Sequence, residues 1–114
     1  IHTGDVFRTV AFPIIDRNNG GTLRGTIEAL AILAGLGGPN TIYVPGHGEV
    51  STREDIVEFR DMVLTVRDRV AALLANGASY DVVSAAAPTA EWEARWGDPQ
   101  RFLTAVYAEL AGTD

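Results

Sequence analysis

Three observations predict an α/β fold for this chain. The apolar residues Leu23, Ile27, Leu30, Ala31 and Ala34 recur at intervals of three and four, the spacing of one helix face. A run of strand-forming residues, Thr41 to Val44, follows closely and ends in a Pro45-Gly46-His47-Gly48 corner. A second and longer helical seam then opens at Ser51. Helix, short loop and buried strand make an αβ unit, and in open α/β sheets ligands bind at the carboxyl ends of the strands. His47 stands at such an end.

The elements are justified in order. Residues 3 to 12 read as short extended segments with Val6, Val10 and Phe12 facing inward, and Pro13 is the first break. Ile14 and Ile15 are expected to be buried, and Asp16-Arg17-Asn18-Asn19-Gly20-Gly21 is a loop by its turn residues. Gly20-Gly21-Thr22 has the look of a phosphate cradle but lacks the lysine and spacing of a nucleotide loop, so a turn with Thr22 as helix N-cap is the better reading. The first helix runs from Leu23 to the Gly35, Gly37, Gly38, Pro39 cluster.

After the corner, Ser51 and Glu54 form a Ser-X-X-Glu capping box. Ile56, Phe59, Val63, Val66, Val70 and Leu73 then alternate spacings of three and four over a helix of about 25 residues, ended by Asn76-Gly77. The seam also suits a coiled-coil contact, but with fewer than four heptads it is expected to pack on the domain's own sheet. A shorter helix spans Tyr80 to about Ala86 and stops before Pro88. Trp92 and Trp96 share a face if 91–96 is helical, and are expected to anchor a C-terminal element. Asp98 as N-cap and Pro99 at the first position open the last helix, striped by Phe102, Val106 and Leu110 and widened by Leu103 and Tyr107.

Composition narrows the function. At 114 residues the chain fits a single domain, 1–114, and 46% hydrophobic with 21% charged residues is ordinary for a globular protein. A net charge of −6, with nine scattered cations that are all arginine, argues against nucleic acid and anionic membranes as partners. With no cysteine, any metal must be held by histidine and carboxylate oxygen. No apolar run approaches a membrane span, so a soluble protein is expected, with the cytoplasm and periplasm both open as compartments. The chain begins at Ile1 without a charged start and apolar core, and is therefore read as the remainder of a longer product.

His47, between two glycines at a strand end, has the setting of a site residue, although such a histidine also simply decorates turns. A second stretch near the start, His2-Thr3-Gly4-Asp5-Val6-Phe7, adds an aspartate after a glycine. Thr-Gly-Asp-Val-Phe followed about forty residues later by Tyr-Val-Pro-Gly-His-Gly resembles the C-terminal half of the metallo-β-lactamase superfamily of metal-dependent hydrolases. The resemblance extends weakly through Phe12-Pro13-Ile14-Ile15-Asp16 and Gly20-Gly21-Thr22 and covers most of the first seventy-odd residues. That family's most specific signature, His-X-His-X-Asp-His, belongs to its N-terminal half and does not occur here, where His2 and His47 are the only histidines.

The resemblance implies one half of an αββα sandwich, a small sheet covered by helices, with a helix-rich last third. It implies Asp5 as the carboxylate bridging two metals and His47 as the last ligand. Zinc is the usual metal, with iron and manganese open. Glu49, next to the histidine, and Asp16 are candidate supporting carboxylates behind the ligands and are otherwise solvated loop residues. His2 is a further candidate, disfavoured because strand alternation puts residues 2 and 5 on opposite faces.

The implied activity is that of the C-terminal segment of a zinc-dependent hydrolase using metal-activated water on a small-molecule substrate, incomplete and inactive alone. A missing N-terminal half, or a second copy in a homodimer, is expected to cover the inner sheet face at Val6, Ile42 and Val44. The rival is a non-catalytic dimerisation or interaction module that retains the fold. A weaker third reading is a small-molecule site on the Trp92/Trp96 face.

Overall fold

In the computed structural model, which describes residues 1–112, a small sheet is covered on one face by helices. β1 (His2–Arg8), α1 (Leu23–Leu36), β2 (Ile42–His47), β3 (Ser51–Thr52), α2 (Arg53–Ala75), α3 (Tyr80–Ala85), α4 (Glu93–Trp96) and α5 (Gln100–Ala111) follow in chain order. The sheet order is β1-β2-β3, with β1 parallel to β2 and β3 antiparallel. The β1–α1–β2 crossover is the αβ unit expected from the helix-then-strand pattern. Among the described residues no helix is long and apolar enough to cross a membrane.

Helix ends follow their capping chemistry. Thr22 is the N-cap of α1, its hydroxyl accepting from the Gly25 amide at 2.8 Å. Glu109 reaches over from α5 to take two more of the amides that α1 leaves unsatisfied, those of Leu23 (2.6 Å) and Arg24 (3.1 Å). The last helix thereby caps the first, and an acidic group sits at the positive end of the helix dipole. At α2 the capping box is one residue later than expected. Thr52 and Asp55 make it, because Ser51 is spent in β3, its hydroxyl donating to the Glu49 carbonyl.

The core is an aromatic chain running from the sheet to α5. Phe7 meets Phe59 at 5.3 Å, Phe59 meets Trp96 at 5.4 Å, and Phe12 lies against both Trp96 and Phe102 at 5.9 and 5.8 Å. Around it the α2 seam buries Ile56, Phe59, Val63, Val66 and Val70 as its spacing predicted, together with Met62. Leu73 is half-buried at the edge. Trp96 is 3% exposed and anchors α4, whereas Trp92 is half-buried with the Arg69 guanidinium over its ring at 5.2 Å. The two tryptophans therefore do not form one open stacking face.

Several expectations of burial are corrected. Of residues 3 to 12, Phe12 is buried as expected, but Thr3 and Phe7 are buried in place of Val6 and Val10: Val6 is half-buried and Val10, beyond the end of β1 at Arg8, is exposed. Ile14 is exposed and Ile15 only half-buried, since the chain turns outward after Pro13. Ala31 is exposed on α1. The face of β2 away from the helices is open: fully buried Tyr43 alternates with Ile42 and Val44, 59% and 38% exposed.

Candidate metal site

Asp5 and His47 meet. The His47 Nδ1 atom lies 3.0 Å from Asp5 Oδ1, and both side chains are more exposed than buried. The convergence is not automatic, since β1 and β2 are parallel and His47 is paired with Arg8, three residues beyond Asp5. It arises from irregular register. The pairs His2↔Val44, Gly4↔Pro45 and Arg8↔His47 advance β1 by two and then four residues while β2 advances by one and then two. The surplus bulges β1, and a bulge re-aims the side chains it contains. Gly4, at φ +59°, supplies the left-handed backbone.

Gly46 makes the approach possible from the other strand. A Cβ there would fall on Asp5 Oδ1 and within 2.9 Å of the Gly4 backbone. Its backbone is not left-handed, so its role is close approach and not conformation. Gly48 is left-handed, at φ +106°, and Thr9 pins the corner around it. The Thr9 amide donates to the His47 carbonyl at 3.3 Å, and the Thr9 hydroxyl accepts from the Glu49 amide at 2.9 Å. Thr9 and the Gly46 contact went unread in the sequence, where only the pairing of two distant segments would have revealed them.

The other candidates take their own places. The His2 ring is engaged with its own strand, Nδ1 accepting from the Gly4 amide at 3.2 Å. Among the described residues His2 does not join Asp5 and His47 as a third member of a metal-holding group. Asp16 shares a cavity of about 320 Å³ with Asp5, also lined by Val6, Pro13, Asn19 and Thr26. The Asp16 carboxylate accepts from Asn19 Nδ2 at 2.7 Å. Glu49 lines a different cavity, with Thr9, Val10, Val50 and Asp55.

One anionic carboxylate and one imidazole are the donor types that zinc accepts where no thiolate exists. Among the described residues no group of three or more histidine, cysteine, aspartate or glutamate side chains converges, so the pair offers two donors where a catalytic zinc ordinarily takes three from protein. The residues fit part of a metal site. Comparison with known proteins finds no matching family model, no matching curated protein and no matching solved structure.

Proposed function

We propose that this chain is the C-terminal half of a metal-dependent hydrolase of the metallo-β-lactamase type, with Asp5 and His47 as two ligands of a site that residues outside the chain complete. The observation that carries the reading is the 3.0 Å contact between the acid in the middle of β1 and the imidazole at the end of β2, reached through the β1 bulge and the bare Gly46 backbone. An arrangement that costs two special glycines and a broken register is more readily explained by a shared ligand than by an exposed His–Asp pair, which is worth about 1 kcal/mol at most.

A zinc ion, when bound, supplies Lewis acidity and makes hydroxide available near neutral pH. The chain's own part is to present the Asp5 carboxylate and the His47 ring to one point, with Thr9 holding the corner that carries the ring. With two donors, the chain alone binds zinc weakly and hydrolyses nothing efficiently. The open face at Ile42 and Val44 fits the same reading, as the surface that the other half of the sandwich, or a second copy, would cover.

The test is a zinc titration of metal-free protein followed through the ring resonances of His47. Those resonances shift with zinc in the wild type and not in Asp5→Ala. A ring that ignores zinc, or responds equally without the aspartate, overturns the proposal.

A further inference from the structure

Seven of the nine arginines are engaged. Four sit in ion pairs with Glu28, Asp68, Glu91 and Glu58; Arg53 and Arg60 donate to the carbonyls of Ala34 and Ile27; and Arg17 also has a partner. The other two, Arg8 and Arg101, have no hydrogen-bond or ion-pair partner for their guanidinium groups among the described residues, and they line the same cavity. It measures about 290 Å³ and lies between the end of β1, the 11–14 segment and the start of α5. Nε of Arg8 is fully buried without an acceptor. What marks the cavity is the pairing of Arg8 and Arg101 along one lining, since guanidinium groups that no acceptor engages keep donors free for a ligand.

The rest of the lining limits the ligand. Phe12 and Phe102, both buried, back the cavity, and Pro13 and Ile14 border it. Asp98 also lines it, with one carboxylate oxygen held by the Gln100 amide at 2.9 Å. Two cations and one anion leave a surplus of a single positive charge beside apolar surface. We propose that this cavity binds a small monoanionic carboxylate with an apolar or aromatic body, the carboxylate taken by Arg8 and Arg101 and the body lying against Phe12, Pro13 and Phe102. A planar carboxylate matches the two-pronged donor geometry of guanidinium, while a phosphate dianion would meet the Asp98 charge.

This assignment rests on these residues and not on the metal reading. Pro13 and Ile14 also line the cavity that holds Asp5, so the two cavities adjoin at these residues.

The experiment is calorimetric titration of protein pretreated with a chelator, at constant ionic strength, with sodium benzoate and separately with inorganic phosphate. Benzoate binds saturably at one site, phosphate binds more weakly, and Arg101→Gln, a change at an exposed residue, weakens benzoate by at least about ten-fold, as loss of a charge-assisted bond should. Arg8→Gln does the same where circular dichroism shows it folded. Absence of saturable benzoate binding, unchanged affinity in Arg101→Gln, or phosphate binding tighter than benzoate each overturns the proposal. Because no metal is present, failure of the hydrolase reading does not produce any of these results.

Discussion

Replacing Gly46 by alanine tests whether the approach of the two strands is what builds the Asp5–His47 pair. The new methyl group would overlap Asp5 Oδ1 and stand 2.8 and 2.9 Å from the carbonyl carbon and oxygen of Gly4. The carboxylate can rotate away, but the Gly4 backbone is held in the sheet and must shift. Overpacking of this kind costs about 1–3 kcal/mol, offset by about 0.4–1 kcal/mol from the lower entropy of the unfolded alanine chain. The net loss is about 1–2 kcal/mol, a fall in melting temperature of roughly 4–8 °C for a domain of this size. Gly35 is the control. It lies inside α1 with open space where a Cβ would go, so Gly35→Ala raises stability by about 0.5–1 kcal/mol. Thermal unfolding by circular dichroism reads both variants, and the His47 ring resonances report whether zinc still reaches the site. A Gly46→Ala protein as stable as the wild type, with its zinc response intact, would refute the close-approach argument.

Further perturbations follow from the same contacts. Thr9→Val removes the acceptor of the Glu49 amide and should cost about 1 kcal/mol in urea unfolding while loosening the 47–49 corner, seen as faster amide exchange there. Trp96→Ala opens a cavity among Phe12 and Phe59 and should cost about 3–5 kcal/mol, far more than Trp92→Ala at the half-buried edge; equal losses would contradict the aromatic core described above. Glu91 accepts a hydrogen bond from Arg69, which holds its carboxyl below the usual carboxylate value of 4.5. Its contribution is therefore complete above that value and lost as pH falls through the lower folded one, so the melting-temperature gap between wild type and Glu91→Gln should be constant at neutral pH and close in acid. Sedimentation over a range of concentrations should show self-association through the open sheet face, weakened by Ile42→Glu; a strict monomer at high concentration counts against that face as an interface.

What could be read from the residues was what local chemistry decides. The α1 and α2 stripes follow from spacing alone, and Thr22 as a cap needs only its own neighbours. Asp5 and His47 were found as a pair through two short motifs, and the chain does bring them together. The misreadings cluster where a non-local pairing overrides a local pattern. Ser51 has the residue type of a cap and is a strand residue because β2 offers it a partner; Val6 is less buried than Phe7 because β1 turns Thr3 and Phe7, and not its even-numbered positions, to the core. The capping of α1 by Glu109 joins residues 86 apart and has no signature in either segment. Gly46 reads in the sequence only as part of the corner around His47, and the residue it makes room for lies on another strand.

The claim that Asp5 and His47 serve one cation is tested most directly by comparing zinc affinity in four proteins: wild type, Asp5→Ala, His47→Ala and the double variant. If both side chains hold the same ion, each single change removes the weak binding and the double change removes nothing more. Losses that are independent and additive, or affinity that survives both changes, would contradict it.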